Sequence, residues 1–218
     1  MAFDSTLNPL ETTRFLKRHD KFAKNMLKKL HFNNMELESL MIIYHKLQKC
    51  HGSSKGITRE QYLDVLHKAL DMTDVYIMNL VMTALDPKSR SRFVTMETFL
   101  NSLSLFLRGN LEEKIRFCFS VYDSHNTGVL GREVLFRFLR YSIWSTGGPA
   151  DAEEMVKDMI EIVMHKLDLD RDGRISFNDY RSSVLKEPCW LEFLGQCLPE
   201  RCAVYKFMST ITKTHYRY

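Results

Sequence analysis

The chain has 218 residues, 44% of them apolar, with 31 Lys+Arg against 27 Asp+Glu and a formal net charge of +4. Such a composition is that of an ordinary globular protein with room for one large or two small domains, and no apolar run approaches the ~18–20 residues needed to cross a bilayer. Five cysteines, an odd set with no CxxC pair, speak against disulfide and zinc frameworks.

The charge is unevenly spread. Residues 1–30 hold seven basic side chains (Arg14, Lys17, Arg18, Lys21, Lys24, Lys28, Lys29) against three acidic ones, and residues 201–218 hold four basic and none acidic, so the body between them is net −4. The first residues lack the charged-then-apolar layout of a signal peptide, and Ala2 stands where N-myristoylation requires glycine. A cytosolic, unlipidated chain is the expectation.

With five prolines and nine glycines, and with apolar residues recurring at spacings of three and four, the chain reads as nearly all helix. Segment 14–30 sets Phe15, Phe22, Met26 and Leu30 on one helical face and its basic residues on the other. Such a helix lies on a membrane, docks to a protein or meets an acidic polymer; the alternative is a helix packed on its own domain with solvated lysines. Residues 111–122 place Leu111, Ile115, Cys118, Phe119 and Tyr122 on one face, which makes Cys118 a core thiol rather than a nucleophile. STGGPADA, 145–152, reads as a flexible insert. Residues 153–167 repeat the stripe with Met155, Met159, Ile162, Val163 and Leu167. Met155, Met159 and Met164 on this helix either pack inward or line a partner-binding surface.

The segment after Leu167 is more specific. DLDRDGRISFND, Asp168–Asp179, fits a twelve-residue EF-hand calcium loop: oxygen donors Asp168, Asp170 and Asp172 at positions 1, 3 and 5, and Gly173 at the sharp turn of position 6. Arg174 at position 7 ligates through its carbonyl, Ser176 at position 9 acts through water, and Asp179 closes the loop at position 12. Taking the apolar residue at position 8 as register, Ile57, Phe93 and Leu130 mark three further loops starting at Cys50, Asp86 and Asp123, with successive spacings of 36, 37 and 45 residues up to Asp168. A supersecondary unit repeated at this period gives an all-α fold of four EF-hand helix-loop-helix motifs in two pairs, with an extra N-terminal helix. The intervals are 1–30 for that helix, 31–108 and 109–187 for the two pairs, and 188–218 for a helical tail.

The loops differ in chemistry. Loop one has no carboxylate before Glu60 and Gln61 at position 12; loop two keeps Asp86 and Glu97 but inserts Lys88, Arg90 and Arg92; loop three has His125, Thr127 and Val134 where ligands belong. Only the fourth is expected to hold Ca²⁺. Its Asp179 is one methylene shorter than the usual glutamate, which points to a single weak or Mg²⁺-competed site.

On these residues a resemblance rests. Phe99–Glu133, and within it LSLFLRGNLEEK from Leu103 to Lys114, together with LDMTD (Leu70–Asp74) and FLGQCLPE (Phe193–Glu200), is similar to calaxin-like EF-hand proteins of the neuronal calcium sensor superfamily. The resemblance spans about residues 30–200. It implies a calcium sensor of the ciliary or flagellar axoneme that contacts outer-arm dynein or its docking complex, with tubulin as a further partner for the basic ends. Ligation is carried over to Asp168, Asp170, Asp172, Arg174 and Asp179. The competing expectation is a cytosolic calcium sensor regulating a membrane channel or kinase. No nucleophile elbow, phosphate loop or HExxH supports an enzyme, and the acidic body carries no nucleic-acid motif.

Overall fold

The computed structural model describes residues 8–50, 56–86, 92–144 and 152–213, and among them eleven α-helices, four two-residue strands and one 3₁₀ turn occur in order. The helices are α1 (Pro9–Arg18), α2 (Asp20–Leu27), α3 (Asn34–Cys50), α4 (Arg59–Leu70), α5 (Val75–Leu85), α6 (Met96–Arg108), α7 (Leu111–Tyr122), α8 (Arg132–Trp144), α9 (Ala152–Leu167), α10 (Phe177–Lys186) and α11 (Arg201–Lys213). The strands β1 (Ile57–Thr58) and β2 (Phe93–Val94) pair antiparallel, as do β3 (Val129–Leu130) and β4 (Ile175–Ser176). This is the all-α fold of paired helix-loop-helix motifs that the repeat requires.

The basic N-terminal segment is helical in two pieces. Asn8 caps α1 by accepting from the Leu10 N–H at 3.1 Å, and Pro9 at the first turn sacrifices no hydrogen bond. At His19 the backbone leaves helical geometry (φ −103°, ψ 12°), and the ring Nδ1 lies 2.9 Å from the Phe15 carbonyl, which also accepts from the His19 backbone N–H at 3.2 Å, so the residue caps the C-terminus of α1. The predicted single helix is thus broken there. Phe15 and Met26 are buried while Phe22 and Leu30 are half-buried, and all seven basic side chains are exposed. Burial of the two anchors contributes about 1.5–3 kcal/mol each, before the entropy of ordering is subtracted.

The chain divides into two compact units. The first comprises Met1–Thr73, Leu85–Asn110 and Pro199–Tyr218. Its core is Leu37, Leu40, Tyr44, Tyr62, Leu66, Phe99 and Leu103, all 0–2% exposed. The buried hydroxyls are matched: Tyr44 Oη donates to the Val94 carbonyl at 2.8 Å, and Tyr62 Oη lies 2.5 Å from Ser102 Oγ. Burial pushes the Tyr62 phenol well up from its ordinary value. Ala203, Phe207 and Ile211, spaced by four, put one face of α11 against α3, α4 and α6, so this segment fills the apolar cup of the first unit.

The second unit comprises Asp74–Ala84 and Leu111–Leu198. Ile115, Cys118, Tyr122, Leu130, Leu135, Val156, Leu167, Ile175, Tyr180 and Val184 are fully buried in it. The 3₁₀ turn Pro188–Glu192 packs on α7 and α10, and after it Leu194 and Cys197 are buried while Phe193 sets its ring edge-on to Tyr122 at 5.5 Å. Residues 188–198 therefore cover the inner face of the second pair. Burial, and then contact with the Cys197 thiol, pushes the Cys118 thiol up, as suits a core residue.

These units cut the chain differently from the intervals drawn on the sequence. Helix α5 buries Ile77, Met78 and Val81 in the second unit although it leads into loop two, and the expected tail splits at Pro199 between the two units. The reason is apolar content: both α5 and α11 carry buried faces that need a core. The expected insert at 145–151 lies outside the described residues.

Candidate metal centre

The loops are closed by the two strand pairs and, in loops one, two and four, by a side-chain cap on the helix that follows. In the second pair Leu130 faces Ile175, the two position-8 residues the sequence picks out. In the first pair Ile57 faces Val94, not Phe93. Val94 is 4% exposed whereas Phe93 is only half-buried, so the β-branched residue takes the inward position. Loop two therefore runs one residue later than the apolar register predicts, and its position 12 is Thr98, whose N–H donates to Thr95 Oγ1 at 3.1 Å. Glu97 is displaced to the surface, where it meets Lys29 at 3.7 Å. Lys88 and Arg90 lie outside the described residues; Arg92 is exposed.

Position 12 is then Gln61, Thr98, Val134 and Asp179 in chain order. Gln61 closes loop one as a neutral amide: its Oε1 accepts from Thr58 N at 2.8 Å, and its Nε2 donates to the Leu47 carbonyl of the entering helix at 2.7 Å. Val134 offers no oxygen. Loop three folds on Asp123, 7% exposed, whose carboxylate accepts from the N–H groups of Thr127 at 2.9 Å and Gly128 at 2.7 Å.

Loop four is where carboxylates converge. One carboxylate oxygen from each of Asp168, Asp170 and Asp172 lies within 4.8 Å of the others, the one such cluster among the described residues. The backbone is wound to make this so. Asp168 Oδ2 accepts from Gly173 N at 2.9 Å, Asp168 Oδ1 and Asp170 Oδ1 each accept from Asp172 N at 3.2 Å, and Asp172 Oδ1 accepts from Arg174 N at 2.8 Å. Gly173 at φ +84° takes the left-handed turn without the steric cost of a side chain, while Arg171 bears that cost at φ +61°. The Asp172 N–H pulls the Asp170 carboxyl down, but lost hydration, the charges of Asp172 and Asp179 and the contact from Asp168 together raise it. Three crowded, mostly exposed carboxylates with one pushed up in this way fit a hard divalent cation, which would relieve their repulsion.

Asp179 and Ser176 stand apart from that cluster. Ser176 is the N-cap of α10: its Oγ accepts from Asp179 N at 3.2 Å, and Asp179 Oδ2 accepts from Ser176 N at 3.1 Å and lies 2.5 Å from Ser176 Oγ. The pair forms a capping box, with Asp179 7% exposed. Two of the six residues expected at the site are thus engaged with each other. Thr58/Gln61 and Thr95/Thr98 repeat the same three-residue spacing, a signal that fixes the register of loop two better than the apolar residue does.

Comparison with known proteins gives the setting. A family described as an EF-hand domain pair matches residues 112–185. The chain is 37% identical over 180 residues to calaxin of Xenopus laevis, covering 81% of this chain and 86% of that one. It is 34% identical over 188 residues to calaxin of Danio rerio, covering 85% and 89%. With calaxin of Homo sapiens it shares 34% identity over 200 residues, covering 90% and 93%.

Proposed function

The chain belongs to the calaxin family of EF-hand proteins, and from that premise we propose that it is a non-catalytic component of the ciliary or flagellar axoneme that binds outer dynein arm or docking-complex proteins and carries one Ca²⁺ site, in its fourth hand. The observation that carries the metal part of this reading is the gradation at position 12, where only Asp179 supplies a carboxylate, in the same loop that holds the one three-carboxylate cluster among the described residues. Asp168, Asp170 and Asp172 ligate through side chains, Arg174 through its carbonyl, and Ser176 through water. Asp179 ligates through the oxygen that Ser176 does not hold. A bound Ca²⁺ would supply positive charge that draws the loop carboxylates together. Because Asp179 is short and held by Ser176, it offers one oxygen more readily than two, which lowers the coordination number towards the six that Mg²⁺ prefers and makes the site weak or Mg²⁺-competed.

The axonemal part rests on family membership and on the resemblance of residues 103–114 and 193–200. The basic helices α1 and α2 support tubulin as a further contact: Phe15 and Met26 anchor them, and Arg14, Lys17, Arg18, Lys21 and Lys28 are exposed. Immunolocalisation with cross-linking in isolated cilia tests the proposal. Axonemal signal with dynein-arm or docking-complex cross-links supports it; plasma-membrane or diffuse signal favours a channel or kinase regulator. For tubulin, Lys17, Lys21 and Lys28 changed to Glu should reduce co-sedimentation with microtubules, and unchanged binding would refute that contact.

A further inference from the structure

Helix α9 is apolar on two sides. Its inner face, Val156, Ile160, Val163, Met164 and Leu167, is 0–8% exposed and meets the whole demand of the core. Met155, Met159 and Ile162 point the other way and are 53%, 42% and 60% exposed. At spacings i, i+4 and i+7 they form a stripe along two turns, whereas a helix with one buried face carries polar residues there. This overturns the sequence expectation that the three belong to the inward stripe, and core packing does not account for them.

We infer that this outward stripe seats a basic amphipathic helix of another protein. The charge around the stripe selects that occupant. Glu154 and Asp158 each precede a stripe methionine by one residue and therefore rim the stripe along one side, both exposed. Glu161 continues the rim but is ion-paired to Arg132. His165 and Lys166, also exposed, close its C-terminal end. An incoming helix lies antiparallel to α9, with the Lys or Arg residues of its last turns over Glu154 and Asp158, which is also where a helix C-terminus favours cations. The thioethers of Met155 and Met159 adapt to the shape of the helix that lands on them. The apolar linings of the two EF-hand cups are covered by α11 and by residues 188–198, so among the described residues the α9 stripe is the run of three apolar side chains at helical spacing left open. A two-turn stripe is small beside the ~800 Å² per partner of a standard interface, and the contact is therefore a weak, exchangeable one.

The test uses the full chain labelled at its methionine methyl groups and two 18-residue helical peptides. Both peptides have leucines at i, i+4 and i+7, and they differ only in bearing Lys or Glu along the flank. The Lys peptide should bind and shift the Met155 and Met159 methyl resonances while leaving buried Met41 and Met164 nearly still; the Glu peptide should bind at least tenfold more weakly. Changing Met155, Met159 and Ile162 to Gln should cost the Lys peptide tenfold or more, with the other methionine signals unchanged as the control for folding. Glu154→Lys with Asp158→Lys should reverse the preference. Equal binding of the two peptides, shifts confined to other methionines, full affinity in the Gln variant, or self-association through the stripe in the absence of peptide would each overturn the inference.

Discussion

Asp179 and Ser176 hold each other across the first turn of α10: Asp179 Oδ2 takes the Ser176 N–H at 3.1 Å and the hydroxyl at 2.5 Å, while Ser176 Oγ takes the Asp179 N–H at 3.2 Å. The residue that should complete the metal loop is thereby also the one that starts the helix after it. Asp179→Glu adds the methylene that lets a carboxylate reach inward, and calorimetry should show Ca²⁺ binding strengthened about tenfold and less sensitive to Mg²⁺. Ser176→Ala should lower the stability of the metal-free protein by about 1 kcal/mol through loss of the cap, read as a lower urea midpoint.

Loop three lacks ligands rather than shape. Asp123 and Gly128 already hold its turn as Asp168 and Gly173 hold that of loop four. His125→Asp, Thr127→Asp and Val134→Glu together should raise the calorimetric stoichiometry by one ion, whereas Val134→Glu alone should not, since a single carboxylate leaves the site short of oxygen donors.

Glu36 is 3% exposed, accepts from Asn33 N at 3.0 Å, and is ion-paired to Arg108, whose guanidinium also donates to the His31 carbonyl at 3.1 Å. Arg108→Ala leaves a buried carboxylate without its counter-charge and should cost about 2–4 kcal/mol in equilibrium unfolding. Lys24→Ala, which removes an exposed pair with Asp20, should cost under about 0.5 kcal/mol.

The ring of His45 stacks on Phe15 at 4.2 Å and has the Glu11 carboxylate 3.8 Å away. Burial, and then the charge of Lys49, lowers its pKa from the ordinary 6.5, against the opposite pull of Glu11. A histidine depressed in this way binds fewer protons folded than unfolded. Stability should therefore be flat above about pH 6.5 and fall as the pH drops from there through the lower folded value. Hydrogen exchange in α1 should quicken over the same window. His45→Phe keeps the stack and should remove that slope.

Much of the fold and of the site is legible in the sequence because EF-hand loops constrain spacing tightly. Asp168, Asp170, Asp172 and Gly173 fall where the motif puts them, and Leu130 meets Ile175 as the repeat requires. The shifts in loop two and on α9 share a cause: two adjacent apolar residues compete for one inward position. Phe93 and Val94 could each be the strand residue, and packing chose the smaller, shifting loop two by one. Helix α9 carries apolar residues on both sides, so periodicity alone could not say whether Met155 or Val156 faces the core. The break at His19 has no proline or glycine to announce it. It comes instead with tertiary anchoring, Phe15 on His45 before it and the buried Met26 after it.

Titration calorimetry of the full chain with Ca²⁺, repeated in millimolar Mg²⁺ and with the Asp168→Ala variant, decides whether the fourth hand holds a single metal site. The prediction is one Ca²⁺ per chain, weakened by Mg²⁺ and lost in the variant. Two or more ions per chain, binding that survives Asp168→Ala, or sub-micromolar binding indifferent to Mg²⁺ would contradict it.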